Sequence, residues 1–117
     1  MSNFKWLKWD KGRQNSGYSK MLLAINPFLI PFDFYLLKFE EGSSIPEHTD
    51  PAKEGFKHYR LNIIIKKSKS GGDFISEKYI INSPRVKFFR PDLHKHSVTT
   101  VIGGSRYVLS FGFLIRN

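Results

Sequence analysis

Short apolar runs separated by turn-forming residues are the feature that most restricts what this chain can fold into. The clearest runs cover residues 33–39, 58–65, 85–90 and 106–115, with glycine, proline, serine or charged residues between them. Runs of about four to eight residues rich in aromatic and β-branched side chains are typical of β-strands. With about eight such strands and no long amphipathic helix, the pattern predicts an all-β sandwich or barrel. Residues 17–24 fit either a helical turn or a strand.

The length of the chain leaves room for one domain. It has 117 residues, of which 40% are hydrophobic and 15% aromatic, which is enough apolar material for a core. We therefore expect a single domain over residues 1–117, with N-terminal support over about 1–32 and a β-structured core over about 33–115.

The lack of cysteine excludes several kinds of site. Disulfides, zinc ribbons, iron–sulfur clusters and thiol nucleophiles all need cysteine, and the chain has none. No segment approaches the roughly 18 continuous apolar residues of a membrane span. The beginning of the chain is charged and aromatic, unlike the apolar region of a signal peptide. We expect a cytoplasmic protein that does not enter a membrane.

The chain is strongly basic, with a formal net charge of +9. Such a charge can attract a polyanion such as nucleic acid. It can also reflect lysines that are spread over solvated surfaces, and here Lys66, Lys67 and Lys69 form the only tight cluster. Nucleic acid therefore remains a possible partner that the sequence does not favour.

Two metal-binding residue types stand two positions apart at His48 and Asp50. On extended backbone, positions i and i+2 point to the same face, so both side chains can reach one ion. A third ligand must come from elsewhere, and the candidates are His58, His94 and His96. Two imidazoles and one carboxylate form the facial triad of non-haem Fe(II) oxygenases, which leaves open positions for dioxygen and a co-substrate.

A second signal lies at the C-terminal end, where His96 begins a β-like run and Arg106 opens the last apolar strand after a glycine pair. We predict that these two segments form a two-stranded hairpin, which would bring Arg106 beside His96. A guanidinium group matches a carboxylate with two parallel hydrogen bonds. An arginine at the start of an apolar strand also needs an anionic partner if it is buried. A surface turn at His48 and Asp50 and an ordinary salt bridge at Arg106 are the alternatives.

The motifs H-x-D at 48–50, G-G-D-F at 71–74 and H-x-V-T-x-V-x-x-G-x-R at 96–106 occur in this order. Their order resembles that in the 2-oxoglutarate- and Fe(II)-dependent dioxygenases, most of all the prolyl-4-hydroxylase-like branch, over roughly residues 33–115. The resemblance implies a double-stranded β-helix, or jelly roll. It also implies iron ligands His48, Asp50 and His96, and binding of the 2-oxoglutarate C5 carboxylate by Arg106. The ten-residue separation from Arg106 favours His96 over His94, while His58 is expected to be an ordinary surface or edge histidine.

The same resemblance concerns further co-substrate-binding residues. Ser110 matches a hydroxyl position that assists the arginine in related enzymes, and Arg60 has a counterpart in part of the branch. Many relatives also carry a tyrosine near the end of the strand before the Gly-Gly loop, where it helps to bind the carboxylate. This chain has Ile65, Lys66 and Lys67 there. How the carboxylate site is completed is therefore an open question.

The implied activity is hydroxylation of a C–H bond coupled to conversion of 2-oxoglutarate into succinate and CO2, with ascorbate as a candidate reductant. The expected substrate is a prolyl or other amino-acid side chain of a peptide, or a small molecule. Arg13, Gln14 and Tyr18 are candidates for the substrate mouth. Nucleic-acid demethylases carry a second arginine six residues after the first, where this chain has Gly112. The alternatives are a catalytically silent cupin-like metal-binding domain and a basic nucleic-acid-binding β-domain. The oligomeric state is left open.

Overall fold

The chain folds into β-structure throughout the part that the computed structural model describes, residues 9–11, 18–26 and 30–117. The all-β prediction is confirmed. None of the described residues forms a helix that is long and apolar enough to cross a membrane. The strands are β1 (Trp9–Lys11), β2 (Tyr18–Asn26), β3 (Phe32–Phe39), β4 (Ile45–His48), β5 (Phe56–Lys66), β6 (Ser70–Gly71), β7 (Phe74–Ser76), β8 (Ile81–Asn82), β9 (Val86–Phe89), β10 (His96–Val98), β11 (Val101–Ile102) and β12 (Arg106–Arg116).

The strands form one large sheet and two small ones. The large sheet has seven strands in the order β1-β2-β3-β12-β5-β9-β8, and its neighbouring strands are antiparallel. The small sheets have the orders β4-β10-β7 and β11-β6. The sequence of residues 17–24 fitted either a helical turn or a strand. These residues fall largely within β2, which pairs with β3. The N-terminal region thus contributes strands to the large sheet.

A cluster of buried apolar side chains joins the large sheet to the small ones. It consists of Phe39, Ile64 and Val108 from the large sheet with Val98 of β10 and Val101 of β11. Burying a side chain of this size stabilises the fold by about 1.5–3 kcal/mol. The cluster therefore holds the sheets face to face.

The predicted hairpin between His96 and Arg106 is wrong. Strand β10 pairs with β4 and β7, whereas β12 pairs with β3 and β5 in the large sheet. Between them the chain forms β11, which pairs with β6. It then turns at Gly103 and Gly104, whose φ angles of +76° and +105° suit glycine. His96 and Arg106 consequently lie on different sheets that enclose a common space.

Side chains alternate along the large sheet between the space inside the barrel and the outside. On β12, Arg106, Val108 and Ser110 face inward and line a cavity between the sheets. The inward positions of the neighbouring strands β3 and β5 are strongly polar, and they include Asp33, Tyr35, Arg60 and Asn62. The inner wall therefore offers charged and hydrogen-bonding groups to a ligand.

Candidate metal centre and anion pocket

Three metal-binding side chains converge at the end of the small sheet. His48 ends β4, Asp50 follows it, and His96 begins β10 directly opposite His48 in the strand register. One ligand atom from each residue lies within 4.8 Å of the others. The carboxylate oxygens of Asp50 are each 3.3 Å from an imidazole Nε2, Oδ1 from His48 and Oδ2 from His96. The structure thus brings together the three predicted iron ligands.

Backbone carbonyls orient both imidazole rings. Nδ1 of His48 lies 2.7 Å from the Pro46 carbonyl oxygen, and Nδ1 of His96 lies 3.0 Å from that of His94. Because a carbonyl only accepts hydrogen bonds, each Nδ1 carries the proton and donates it. Each Nε2 therefore has its lone pair free to face the common point, as in the second-shell contacts of metal-binding histidines.

His96 is the most deeply placed of the three residues. It is 7% exposed, and its ring contacts Phe74 and Phe89 at centroid distances of 5.9 and 5.3 Å. The backbone N–H of Asp50 donates to the Pro91 carbonyl at 2.8 Å, which fixes the loop that carries the carboxylate. These contacts hold the donor set in place before any ion binds.

The chemistry of this donor set fits iron. Two neutral imidazoles and one carboxylate suit a divalent first-row metal, and three ligands do not saturate it. His94, the rival candidate, lies in the turn before β10 with Nδ1 4.0 Å from Glu77 Oε1, and it is not part of the converging group. The open positions of a bound ion are therefore available to ligands in the cavity.

The expectation that His58 is a surface or edge histidine is wrong. It lines the same cavity as the triad, with Nε2 3.4 Å from Nη2 of Arg60. Burial, and then the positive charge of Arg60, lower the pKa of His58. His58 is thus a neutral group of the cavity wall at physiological pH.

The cavity between the sheets has a volume of about 280 Å³. The triad lies near the Arg60 end, because Phe89, which contacts His96, pairs in register with Arg60. Gly112 of β12 pairs in register with Arg60. Arg106 lies three inward positions away from Gly112 on the same strand, and therefore toward the other end of the cavity. The predicted iron ligands and Arg106 therefore line one cavity from different sides.

Arg106 is a buried cation. It is 5% exposed, and no carboxylate in the described part of the chain forms an ion pair with it. Its guanidinium group lies over the Phe39 ring at 5.3 Å. Burial lowers the pKa of Arg106 to about 10, with a smaller opposing effect from Asp73, so the group stays charged at neutral pH. A buried charge of this kind needs an anionic partner.

Strand β2 adds two cavity residues near Arg106. Tyr18 stacks on Phe39 at a centroid distance of 5.1 Å, so the Phe39 ring contacts both Tyr18 and Arg106. Lys20, the next inward residue, places Nζ 5.2 Å from the centroid of the Tyr35 ring. Lys20 was missed in the sequence because residues 17–24 were not assigned to a strand; the alternation of Tyr18 and Lys20 would have revealed it. The predicted mouth residues Arg13 and Gln14 lie outside the described residues.

Arg60 and Ser110, both predicted to bind co-substrate, contact each other. Arg60 donates from Nη1 to Ser110 Oγ at 2.7 Å and from Nη2 to Asp33 Oδ1 at 2.9 Å. Asp33 therefore compensates the charge of Arg60, in contrast to Arg106. A different polar atom, Oδ1 of Asn62, is buried without a hydrogen-bond partner among the described residues. It can accept from a bound molecule.

Gly112 leaves the space that Arg60 occupies. A Cβ atom at this position would lie 2.1 Å from Nη2 of Arg60. We predict that Gly112→Ala displaces Arg60, breaks its bonds to Asp33 and Ser110, and lowers the free energy of unfolding by about 2–3 kcal/mol. Urea denaturation measures this loss. In an Arg60→Ala background the same substitution should cost less than about 1 kcal/mol; equal losses in both backgrounds would contradict the interpretation.

Comparison with known proteins shows the fold. No family model matches the sequence, and a search of curated proteins found no match. The chain is similar to KdgF from Halomonas sp., with a TM-score of 0.63, 16% identity, and 94% of this chain and 89% of that chain covered. It is similar to an RmlC-like cupin from Shewanella frigidimarina, with a TM-score of 0.58, 12% identity, and 97% and 91% covered.

A third similarity is to a chain in the complex of Rhodobacter sphaeroides SigE with the anti-sigma ChrR. Its TM-score is 0.56 at 15% identity, and the match covers 89% of this chain and 47% of that one, so this chain spans about half of its length. At sequence identities this low, the structural similarity is evidence for the fold alone. The protein has the jelly-roll barrel of the cupins, which confirms the predicted double-stranded β-helix.

Proposed function

We propose that the protein is an Fe(II)- and 2-oxoglutarate-dependent oxygenase that hydroxylates a C–H bond. The observation that carries the proposal is Arg106, a buried and unpaired cation in the same cavity as an unsaturated His-Asp-His donor set. A keto-dicarboxylate can bind both the metal centre and Arg106, because one end can reach the metal and the other can pair with the guanidinium group.

Each residue then has a defined task. His48, Asp50 and His96 hold the iron, which when bound supplies the activation of dioxygen. Arg106 binds the C5 carboxylate through two parallel N–H donors and so fixes the length and direction of the co-substrate. The apolar side chains of Val98 and Val108 line the cavity between the two sheets and exclude water from it.

Tyr18 takes the place of the tyrosine that the resemblance led us to expect before Gly71. It comes from β2, not from the end of β5, and it reaches the Arg106 side of the cavity through its contact with Phe39. Its phenol can donate a hydrogen bond to the same carboxylate as Arg106.

We predict that Tyr18→Phe raises KM for 2-oxoglutarate about tenfold and changes kcat by less than about twofold, since one hydrogen bond to a charged group is lost while the metal ligands remain. Steady-state production of succinate at varied 2-oxoglutarate measures both constants. The Tyr79→Phe variant is the matched control, because Tyr79 bonds the backbone of Ser76 and Phe74 away from this cavity. An unchanged KM in Tyr18→Phe would remove Tyr18 from the proposal.

The substrate that receives the hydroxyl group is a peptide side chain, such as prolyl, or a small molecule. The triad side chains of His48 and Asp50 are about one-fifth exposed, so a substrate can approach the metal from the open end of the barrel. Arg60, held by Asp33 and Ser110, lies on that side and presents a rigid polar wall to it.

The decisive experiment combines spectroscopy with product analysis. Under anaerobic conditions, Fe(II) and 2-oxoglutarate added to the protein should give the weak visible charge-transfer band of an iron–keto-acid chelate. Admission of air should then yield succinate and CO2. An Asp50→Ala variant, which lacks the carboxylate ligand, should give neither. A wild type that binds iron but shows no band and no succinate would overturn the proposal and favour a cupin-like metal-binding domain. Salt-sensitive binding to DNA that persists without His48 would favour the nucleic-acid-binding alternative.

A further inference from the structure

A second pocket shares Arg106 with the internal cavity but is lined by none of the three metal ligands. The basic loop, which we define as residues 67–72 between β5 and β7, contributes to it, as do Lys87 of β9 and Arg106 of β12. We call this space the basic-loop pocket. Its volume of about 400 Å³ is in the range of pockets that hold small molecules.

The basic-loop pocket has a large excess of positive charge. Four cationic side chains line it: Lys67, Lys69, Lys87 and Arg106. Asp73 offsets one of these charges and is the single acid among the described residues of the lining. No carboxylate in the described part of the chain forms an ion pair with any of the three lysines. Cations gathered in a concave space attract anions into it. The charge balance therefore favours an anionic ligand.

Gly72 brings the basic loop directly onto Arg106. A Cβ atom at position 72 would lie 2.9 Å from Cδ of Arg106, and the φ angle of +65° also suits glycine. A larger residue would hold the loop away from the arginine side chain. The guanidinium group has five N–H donors, of which a carboxylate in the internal cavity takes two. The other donors can serve a ligand in the basic-loop pocket.

Contacts within the protein restrain two of the lysines. The backbone N–H of Lys69 donates to the Gly103 carbonyl oxygen at 3.2 Å. The stem of Lys69 lies along Gly103, where an added Cβ atom would be 2.8 Å from Cβ and 3.1 Å from Cδ of the lysine. Lys87 donates from Nζ to the neutral Oδ1 atom of Asn82 and so keeps its full charge. Restrained lysines lose less conformational entropy when they bind an anion.

The types of cation in the pocket favour one class of anion. Arginine matches a planar carboxylate, whereas lysine ammonium groups are point charges that bind phosphate. A phosphate ester carries about −1.5 to −2 charges near pH 7 and has three acceptor oxygens, so it can contact several cations at once. Ile64, Phe74 and Pro84 add apolar surface to the lining. This surface suits an organic group attached to the phosphate.

We propose that the basic-loop pocket binds a small phosphorylated molecule. Lys67, Lys69 and Arg106 contact the phosphate oxygens, and Phe74 and Pro84 pack against the organic part. The site does not depend on the proposed enzymatic function, since no metal ligand lines the pocket.

The test is the binding of inorganic phosphate to the full chain without added metal, by calorimetric titration at an ionic strength held constant with chloride. The wild type should bind one phosphate per chain. The double variant Lys67→Gln with Lys69→Gln should bind at least about tenfold more weakly, because two charge-assisted contacts are lost. Lys53→Gln with Lys57→Gln is the matched control. It makes the same change in net charge near the start of β5, away from the pocket, and should bind within about twofold of wild type.

Two single variants identify the site further. Arg106→Met should also weaken phosphate binding at least about tenfold. Asp50→Ala should bind phosphate as the wild type does, so the result holds whether or not the protein uses iron and 2-oxoglutarate. A wild type that does not bind phosphate, or equal losses in the two lysine pairs, would overturn the proposal. Binding that needs Arg106 but not the loop lysines would overturn it as well, because the phosphate would then lie in the internal cavity.

Phenyl phosphate tests the organic part of the ligand. Its ring can pack against Phe74 and Pro84, so it should bind at least about threefold more tightly than inorganic phosphate, as expected from burial of apolar surface. Equal affinities for the two probes would overturn this part and leave a site for free phosphate.

Discussion

Replacement of Arg106 by methionine should weaken the binding of 2-oxoglutarate at least about 100-fold, because two charge-assisted hydrogen bonds to its carboxylate are lost. Methionine fills much of the same apolar space without charge. The variant should therefore keep its fold and its metal ligands while it loses the partner of the C5 carboxylate. In the wild type, 2-oxoglutarate should raise Tm, since a ligand that binds only the folded state stabilises it. In Arg106→Met this rise should disappear.

The same substitution should stabilise the protein in the absence of ligand. Burial lowers the pKa of Arg106 to about 10, which means that the folded state holds this proton less tightly than the unfolded state does. The charged side chain therefore opposes folding at every pH below about 10, and the penalty is relieved only as the pH rises from there toward the unfolded pKa. At neutral pH the cost is of the order of 3 kcal/mol. Arg106→Met removes it.

Thermal unfolding with and without 2-oxoglutarate, with Mn(II) as a redox-stable substitute for iron, measures both effects. Arg116→Met is the matched control, because Arg116 ends the strand that Arg106 begins and is exposed. It should keep the full ligand response. An Arg106→Met protein that still gains stability from 2-oxoglutarate would show that the carboxylate binds elsewhere.

Replacement of His96 by alanine should reduce Fe(II) affinity by more than about 100-fold, because even residues that only orient a ligand contribute 10–100-fold. His94→Ala should leave the affinity within about threefold of wild type, since His94 lies in a turn near Glu77 and apart from the triad. Anaerobic titration and elemental analysis of the loaded protein give the affinity and the stoichiometry, which should be one ion per chain in wild type.

His96 is buried against Phe74 and Phe89, so His96→Ala also leaves a cavity. His48→Ala, at a more exposed ligand, separates metal loss from misfolding and should show the same loss of iron with a smaller change in Tm. Retention of iron in both ligand variants, or loss of iron in His94→Ala, would mean that the triad is not the metal centre.

Much of the fold was predictable from local sequence signals. Aromatic and β-branched runs bounded by Gly, Pro and Lys placed β3, β5, β9 and β12 to within about two residues at each end. The residues 17–24 remained ambiguous because their strand character depends on pairing with β3, a contact that local composition does not encode. The grouping of His48, Asp50 and His96 was predicted through the family resemblance of the H-x-D and C-terminal motifs, whereas the residues alone left the third ligand open among three histidines.

The parts that could not be predicted depend on register between distant strands. The pair Arg60 and Asp33 is an example, because its members are brought together only by the shared pairing of β3 and β5 with β12. The hairpin error has the same origin. A glycine pair permits a tight turn, but pairing of β11 with β6 decides that the chain crosses to the other sheet instead.

Because the chain crosses from one sheet to the other, the buried apolar cluster sets the separation between His96 and Arg106. His96 belongs to the small sheet and Arg106 to the large one, and the side chains of Val98 and Val108 separate the two sheets. The distance between the His96 imidazole and the Arg106 guanidinium group is thus set by the thickness of the packed apolar side chains, which a close-packed interior keeps nearly constant. Under the proposed function, selection among dicarboxylic acids by chain length would then depend on Val98 and Val108, whose side chains do not contact the charged ends of the ligand.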